Sequence, residues 1–589
     1  MLNASVLFAV LCILGLLLFF TGLPNLNRCV LPGGTGETDD MLKKDKLEKV
    51  LVLLVTLLYA FSAFWNLGNR KSPQSFALME GKTAVLEMKQ PALQAQLVLF
   101  PGAGSGTYVI EYSDDAEGWF PLQSFSQDHV AVLKWALIPI GFDHPVRYLR
   151  IRCDSGNPWL GEAALLDSDG TMLPFLSSEG RLCDEPDTVP TVSDYLNSSY
   201  FDEIYHVRTA WEHLNGIWPY EISHPPLGKE LISLGILLFG MTPFGWRFSG
   251  TLIGILMIPV MYVFVKRLFS SGRVAVLSSI LLASGFMHYV QTRIATVDSF
   301  AVFFILLMYY FMYGWLSTGS RRELALCGIA FGIGTACKWT CFYAGAGLAV
   351  LWLSYWTCRF LRGRKQAFRD FLKNAVFCII FFLALPAFVY YLSYYPYGKA
   401  EGVTIFSSEY TRMVLDNQRF MFQYHASVVA EHPYSSRWYQ WILNLRPILY
   451  YLEYLPEGKR VSIAAFVNPV ICWGGLLSFL ILLYCFFIRR ERIAGFLIVA
   501  YLSGIVPWMF ITRLTFAYHY FASAVFLIPI IAYVFRIMED NTRHGKTFIY
   551  CFTAAALILF ICFFPVLNGL PIDNVLGSKL LGWLPNWPI

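Results

Sequence analysis

Charged side chains are scarce in this sequence. They make up 14% of its 589 residues, whereas hydrophobic residues make up 56%. A soluble globular protein carries about 25% charged residues, so this composition excludes a soluble enzyme of this length. Apolar runs of roughly twenty residues recur along the chain, and that length crosses about 30 Å of hydrocarbon. The composition therefore predicts a polytopic α-helical membrane protein.

Motifs of several other protein classes are also missing. There is no CxxC and no Cys/His spacing of a metal site. Cys327, Cys378 and Cys551 lie in apolar runs, where a thiol behaves as a small hydrophobe. The absence of a Walker A loop argues against an ATP-driven pump. A GxGxxG turn after a strand and a GxSxG elbow are absent as well, so the sequence predicts neither a nucleotide nor a metal cofactor.

About twelve stretches have the length and apolarity of membrane spans. The first lacks the basic start of a secretory signal and is expected to be a retained span. The predicted spans are 4–22, 50–67, 246–265, 274–291, 297–316, 324–337, 340–357, 375–394, 464–488, 494–511, 518–535 and 547–564.

Lysine and arginine gather in every second loop, and this bias marks the cytoplasmic side. Examples are Lys43 to Lys49, Arg359 to Arg369 and Arg489 to Arg492. All the clusters face the cytoplasm if both termini lie outside. The long polar segments 68–245 and 395–463 then lie on the outer face. We therefore expect the chemistry of this protein on its outer face.

Two outer segments are long enough to fold on their own. Period-2 alternation and Pro-Gly or Asp-Gly turns within 68–190 predict a β-sandwich. Its last strands loosely resemble discoidin-like carbohydrate-binding modules, and a lid without a ligand is the alternative. Cys153 and Cys183 could pair if the compartment is oxidising. The segment 395–463 is expected to contain a re-entrant or interfacial helix. The predicted organisation is 1–67 two spans, 68–190 sandwich, 191–245 catalytic loop, 246–394 membrane core, 395–463 outer loop, 464–564 C-terminal spans and 565–589 outer tail.

The most polar stretch of the chain runs from Tyr200 to Lys229. The pair Asp202-Glu203 opens it, and a carboxylate there could act as a general base, bind a metal or pair with a nearby cation. The alternative is that both acids start a helix, where the helix dipole favours negative charge. His224 is followed by two prolines, which restrict the backbone and would hold the imidazole still.

Several cations lie near the outer ends of spans, where an unpaired charge is costly. Together they could neutralise a lipid-linked phosphate, whereas any one of them could instead snorkel to the headgroups. Asp298 begins a span and is either a functional acid or a partner of Arg293. The cations are Arg247, Arg293, Lys338, Arg437, Arg446 and Arg513.

Eight short motifs follow one another along 199–589. In this order they resemble the protein O-mannosyltransferase family (glycosyltransferase family 39) of the GT-C superfamily. That resemblance implies the GT-C fold, here with roughly twelve transmembrane helices and an inserted extracytoplasmic sandwich. The motifs are FDEIYH, HPPLGK, PFGWRFSG, RIATVDSF, GIGTACKWT, HPYSSRWYQW, TRLTFAYHY and LGWLPNWPI.

The resemblance also implies an activity. Such enzymes transfer a hexose, typically mannose, with inversion from a polyprenyl phosphate to a Ser or Thr hydroxyl of a secreted or surface protein. Asp202 would be the general base and Glu203 would help to position the acceptor. The residues implied at the donor phosphate are Arg247, Arg293, Lys338, Arg437 and Arg513, and those implied at the acceptor or in the pocket are His224, Asp298, Arg446 and His519.

The implied partners are a polyprenyl-phosphate-sugar lipid, an acceptor protein or glycan and membrane lipids, with no nucleic acid and no required cofactor or metal. Eukaryotic members carry a β-trefoil module in the later loop, and 395–463 is too short for one. The sandwich and the extra first span also depart from the usual pattern, and they indicate a bacterial member in the plasma membrane. Alternatives are transfer to a lipid or cell-wall glycan, or a flippase. A flippase should show inverted repeats and acids at mid-membrane, and the sequence shows neither.

Overall fold

The computed structural model describes residues 46–363, 365–427 and 431–587. The predicted span 4–22 and the basic residues Lys43 and Lys44 lie outside the described residues. The chain divides into two compact units. One comprises Met1–Trp65, Ile222–Gly228 and Gly250–Ile589, and the other comprises Asn66–Glu221 and Lys229–Ser249. The β domain and the acidic stretch that follows the predicted boundary at 190 share one of these units.

The β domain contains seven strands, β1 Ala77–Leu78, β2 Thr83–Pro101, β3 Gly106–Ser113, β4 Phe120–Gln127, β5 Ala136–Gly156, β6 Trp159–Leu166 and β7 Phe175–Ser177. They are antiparallel and hydrogen-bonded in the order β1-β6-β2-β5-β3-β4, with β7 paired to β2. The long β2 and β5 pair along most of their length and pass through bulges between Glu87 and Gln94, so all the strands stay in one hydrogen-bonded network.

Alternating inward side chains build the core of this sheet, as the period-2 pattern predicts. Leu86, Leu97, Ile110, Leu149 and Leu165 are fully buried in one cluster. Cys153 and Cys183 also contact this cluster, but both are free thiols in the structure. The pairing that the sequence left open is thus not formed.

The sheet also supports the helix that carries the acidic pair. This helix is α2, Glu203–Asn215. Its Trp211 ring lies 5.3 Å from the Phe76 ring and 5.5 Å from the Trp159 ring. Just before α2, the Ser199 hydroxyl donates to the Val132 carbonyl at 2.7 Å. Packing and hydrogen bonding therefore fix the approach to α2 against the sheet.

Helices make up most of the described chain. They are α1 Lys46–Phe64, α2 Glu203–Asn215, α3 Leu227–Phe239, α4 Pro243–Phe269, α5 Gly272–Ala283, α6 Phe286–Arg293, α7 Asp298–Thr318, α8 Arg321–Cys337, α9 Thr340–Leu361, α10 Lys365–Ile379, α11 Leu385–Leu392, α12 Tyr395–Glu401, α13 Ser408–Ser427, α14 Trp438–Ile442, α15 Pro469–Phe487, α16 Arg492–Ile505, α17 Phe521–Ala524, α18 Leu527–Asn541, α19 Gly545–Asn568 and α20 Asn574–Leu580.

Eight helices in the described chain are long and apolar enough to cross a membrane, and ten if each of two bent pairs counts as one span. This confirms a polytopic membrane protein, although the predicted number of spans was higher. Every predicted span among the described residues falls on a helix or a helix pair. The span predicted at 324–337 falls on α8, whose 17 residues make it short for a crossing.

The segment 395–463 contains a helix, and it also contains strands that the sequence analysis did not predict. Helix α13 runs through Ser408–Ser427. A hairpin follows, formed by β8 Ile448–Leu455 and β9 Lys459–Ala465, and β10 Ile572–Asp573 adds a third strand. The alternation of ILYYLEYL before the turn residues Pro456-Glu457-Gly458 is typical of a hairpin and could have predicted it.

We expect Trp211→Ala to destabilise the sheet unit, because the Phe76 and Trp159 rings would lose their shared partner. The substitution should lower the free energy of unfolding by about 2 kcal/mol, less than for a fully buried tryptophan. Thermal unfolding of the purified protein in detergent measures the change. The control is Trp218→Ala, since Trp218 is 40% exposed. An equal loss of stability in both variants would contradict this support role.

Candidate active site

Asp202 lies at the N-cap of α2 and is half-buried. Its carbonyl accepts hydrogen bonds from the amides of Tyr205 and His206 at 3.1 and 3.2 Å. Its side chain makes no capping hydrogen bond, although aspartate at this position commonly caps through its carboxylate. The helix start therefore fixes the backbone of Asp202 without using the carboxylate as a cap.

The neighbouring Glu203 is fully buried and forms a two-pronged ion pair with Arg247. Nε of Arg247 donates to Oε1 at 2.7 Å, and an Nη donates to Oε2 at 2.8 Å. The exposed fractions of the two side chains are 0% and 1%. This bidentate geometry is the strongest that an arginine and a carboxylate make.

Arg247 uses its remaining N–H groups on backbone carbonyls. One Nη donates to Leu67 and Tyr195 at 2.9 and 2.7 Å, and the other donates to Ser198 at 2.9 Å. A guanidinium has five N–H donors, and all five are engaged here. A phosphate would have to displace one of these buried bonds in order to bind Arg247.

The backbone just before the acidic pair is strained. Phe201 has φ of 48°, a left-handed conformation that a bulky side chain rarely adopts. Such a conformation costs on the order of 1–3 kcal/mol and persists only where the surroundings hold it. Here the Tyr200 amide donates to the Glu203 carboxylate at 3.2 Å, so the ion-paired Glu203 also holds this turn and with it Asp202.

Other charges of the polar stretch form buried pairs in the same unit. Lys229 is fully buried and donates to the Glu221 carboxylate at 2.7 Å. Arg208 pairs with Glu212 at 2.8 Å. Burial raises the pKa of Glu212, while Arg208 opposes that rise. These pairs explain most of the charge in this stretch as structural, which a composition argument cannot distinguish from catalytic charge.

In the other unit, Lys338 and Asp298 form another buried ion pair. Lys338 follows the last residue of α8, Asp298 is the first residue of α7, and Nζ lies 2.7 Å from Oδ1. The partner of Asp298 is thus Lys338 and not Arg293, the alternative that the sequence suggested. Arg293 instead donates to the carbonyls of Ala63 and Trp65 at 3.0 and 3.1 Å.

The His-Pro-Pro segment packs against the start of α7. A Cβ on Gly228 would lie 2.6 Å from a methyl carbon of Val297, a distance that side chains do not tolerate. Only glycine therefore allows this close approach. The His224 ring packs against α13. It lies 5.5 Å from the His425 ring and makes an edge contact with it.

His519 lies in an aromatic cluster of the same unit and is buried. Its ring is 4.2 Å from the Trp508 ring, 4.5 Å from Tyr518 and 5.9 Å from Trp441. The Lys338 ammonium lies 5.6 Å from the centre of the Tyr518 ring. The predicted residues Lys338, Asp298 and His519 are therefore linked through Tyr518.

Arg513 is half-buried and donates to the Leu514 carbonyl at 3.2 Å. Arg437 is exposed and donates to the Thr512 carbonyl at 3.2 Å. Arg446 donates to the Pro433 carbonyl at 2.5 Å. Each of the three thus has a carbonyl partner, and Arg513 is also close enough to His425 and His519 to act on them electrostatically.

Eight of the eleven predicted residues therefore fall into one group in each unit, while Arg293, Arg437 and Arg446 hydrogen-bond to backbone carbonyls. Asp202, Glu203 and Arg247 lie together in the unit that contains the sheet. The other unit contains a group of cations and histidines around Lys338. Sequence reasoning missed His425, although its spacing from Asn417 places both on one face of α13.

Comparisons with known proteins match both halves of the helical region. Residues 223–392 match the family described as dolichyl-phosphate-mannose-protein mannosyltransferase, and residues 410–587 match the C-terminal four-transmembrane region of protein O-mannosyltransferase. Together the two matches cover more than half of the chain. The chain belongs to the protein O-mannosyltransferase family.

Two bacterial relatives of this mannosyltransferase-family protein match along most of their length. Both are named polyprenol-phosphate-mannose–protein mannosyltransferase. The Mycobacterium tuberculosis protein is 25% identical over 67% of this chain and 90% of its own length. The Corynebacterium glutamicum protein is 25% identical over 66% of this chain and 88% of its own length.

A solved structure of a family member shares the fold. The Saccharomyces cerevisiae protein O-mannosyltransferase Pmt1-Pmt2 complex bound to the sugar donor aligns with a TM-score of 0.58 and 13% identity, and the match covers 66% of this chain and 89% of that one. The GT-C fold expected from the sequence is confirmed. The multi-pass membrane location follows from the family and from the apolar helices.

The roles predicted for single residues stay predictions. The geometry nevertheless favours a positioning role for Glu203 and Arg247, because each is fully used inside the protein. The prediction that Arg247 meets the donor phosphate would require this buried pair to open. Binding of a phosphate by Lys338 would likewise disturb a buried pair, the one with Asp298, although that pair is slightly more exposed.

We expect Glu203→Gln and Arg247→Met each to destabilise the protein by about 3–5 kcal/mol, because each leaves a buried charge without its partner. The double variant should lose less stability than the two single variants lose together, since it buries no unpaired charge. Thermal unfolding of the single and double variants completes a double-mutant cycle. Additive losses would mean that the two side chains do not stabilise each other.

Proposed function

We propose that this protein transfers mannose from a polyprenyl-phosphate donor to a Ser or Thr hydroxyl of a secreted or surface protein, on the outer face of the membrane. The support for the substrates comes from the names of the bacterial relatives. The mechanism is supported by one observation in this chain. Asp202 is half-buried and fixed in position, while the neighbouring Glu203 is already ion-paired with Arg247.

In the proposed reaction, the Asp202 carboxylate takes the proton of the acceptor hydroxyl. The hydroxyl oxygen then bonds to the anomeric carbon of the mannose from the face opposite the phosphate, and the bond from that carbon to the phosphate oxygen breaks. The products are an inverted mannosyl–protein linkage and a polyprenyl phosphate. A phosphate is a good leaving group, so the donor side needs charge neutralisation and not a protein acid.

Lys338 and Arg513 are the cations that we assign to the leaving phosphate. Both act electrostatically on the same histidines, and among the described residues Arg513 donates a hydrogen bond only to a backbone carbonyl. We assign His224, Asp298 and His519 to the walls of this cation site. We assign Arg293, Arg437 and Arg446 a structural role, in which each holds the backbone through a carbonyl hydrogen bond.

We also propose that the reaction needs no metal, because lysine and arginine side chains can supply the positive charge that a divalent ion would otherwise provide. In the described part of the chain, the group with metal-ligand spacing is Glu162, Asp184 and Glu185. Burial raises the pKa of Glu162 to about 8. That group belongs to the sheet domain, and the proposed reaction does not use it.

We expect Asp202→Asn to abolish transfer without loss of folded protein, because the amide cannot take the proton. The assay supplies radiolabelled polyprenyl-phosphate-mannose and the protein fraction of the cell envelope, and β-elimination then releases label from Ser and Thr. Asp187→Asn is the matched control, since Asp187 forms an exposed pair with Lys71 and such pairs contribute little.

Full transfer by Asp202→Asn would remove the general-base assignment. Label in a lipid or cell-wall polymer instead of protein would keep the donor chemistry and change the acceptor. Movement of the labelled lipid across the membrane without any transfer would favour a flippase.

We expect Arg513→Gln to raise the KM for the donor about tenfold or more, because a charge-assisted hydrogen bond to the phosphate contributes roughly 1.5–3 kcal/mol. The KM for the acceptor should not change. Arg419→Gln is the control, since Arg419 is exposed in the same unit and pairs with Asp416. The assignment fails if the two variants bind the donor equally well.

A further inference from the structure

One ring nitrogen of His425 has no hydrogen-bond partner in the part of the chain that the structure describes. Its Nε2 lies 2.8 Å from the Ser223 carbonyl oxygen. Because a carbonyl only accepts, Nε2 carries the proton and donates. Nδ1 then holds a lone pair, and it is buried without a donor. A buried acceptor without a donor is destabilising because its desolvation is not compensated, so its retention requires an explanation.

The surroundings of His425 are cationic. Burial, His224, Arg513 and Lys338 together lower the pKa of His425 to about 4, so the ring is neutral near pH 7. A neutral Nδ1 can accept a hydrogen bond but cannot donate one. The oxygens of an ionised phosphodiester likewise only accept, and they cannot satisfy this atom. A hydroxyl group can, since it carries an O–H donor.

The ring is also held in place. Asn417, two turns earlier on α13, donates to the Ile222 carbonyl at 3.0 Å and accepts from the Tyr394 hydroxyl at 2.6 Å. Helix α13 thus grips the backbone before His224 at two successive residues, Ile222 and Ser223. The position of Nδ1 is therefore set by the protein before any ligand binds, as a specificity site requires.

We propose that His425 is a specificity-determining residue for the donor, whose Nδ1 accepts a hydrogen bond from a hydroxyl of the donor's hexose. The inference rests on the proposed function, because the hexose is bonded directly to the phosphate that Lys338 and Arg513 are assigned to bind. A side chain that lies beside those cations therefore also lies beside the sugar. The Trp339 ring, 6.0 Å from the His425 ring, offers an apolar face beside the same site. Its indole N–H donates to the Tyr390 hydroxyl at 3.0 Å, which fixes that ring as well.

Two substitutions separate the two nitrogens. His425→Gln can keep an N–H for the Ser223 carbonyl but has no atom in place of Nδ1. His425→Asn places an acceptor oxygen near the position of Nδ1 and loses the bond to Ser223. We expect His425→Gln to raise the donor KM about tenfold, the effect of one hydrogen bond of roughly 1.4 kcal/mol. His425→Asn should stay closer to wild type, and neither should change the acceptor KM.

Donors that each lack one mannose hydroxyl test the contact itself. For one of these deoxy donors, the KM of the wild type should rise about tenfold over that for the full donor. The KM of His425→Gln should be the same for both donors, because the substitution and the missing hydroxyl remove the same hydrogen bond. Additive losses for every deoxy donor would overturn the proposal. The proposal would also be overturned if His425→Gln kept the donor KM of the wild type, since Nδ1 would then bind only water. A larger defect in Asn than in Gln would show that His425 only positions the backbone at Ser223.

Equilibrium binding distinguishes this inference from the proposed function. Wild type should bind polyprenyl-phosphate-mannose more tightly than polyprenyl phosphate alone, and His425→Gln should lose that difference while it keeps its affinity for polyprenyl phosphate. Transfer by the wild type with an unchanged preference in His425→Gln would defeat the inference alone. Equal binding of both lipids by the wild type, together with no mannose transfer, would defeat both.

Discussion

The buried ion pair between Glu203 and Arg247 is the constraint on which the arrangement of the acidic stretch depends. Its guanidinium reaches Leu67 before the β domain, Tyr195 and Ser198 after it, and Glu203 at the start of α2. One side chain therefore fixes both ends of the inserted domain and the first turn of the helix that begins beside Asp202. Replacing either partner would leave an uncompensated charge where water cannot reach it.

The two ends of the β domain also meet each other directly. The Asn69 amide donates to the Leu196 carbonyl at 2.7 Å, so the chain enters and leaves the domain at adjacent points. An insertion whose ends meet does not require the flanking segments to separate. The sheet then supports α2 through Trp211, so the same domain also fixes the helix that follows Asp202.

The sequence predicts the membrane helices and the family well, because apolar length and motif order are properties of the chain itself. It predicts the site less well. The position of Asp202 and Glu203 identifies both as candidates, but it does not show that Glu203 forms an ion pair. Its partner Arg247 lies 44 positions away along the chain and meets it only in the folded protein. The pairing of Asp298 with Lys338 instead of Arg293 is a similar case, since tertiary packing and not spacing along the chain selects the partner.

Histidine 425 shows the limit of reading charge and motif alone. Nothing in the local sequence separates it from a histidine whose hydrogen bonds are satisfied in a core. Its significance comes from two facts of the folded state: Nε2 is committed to the Ser223 carbonyl, and Nδ1 is buried beside cations. The cations suit an anionic leaving group, but in the described part of the chain none of them donates a hydrogen bond to Nδ1. The site is therefore complementary to a ligand that combines negative charge with a nearby hydroxyl donor, and a phosphate bonded to a sugar has both.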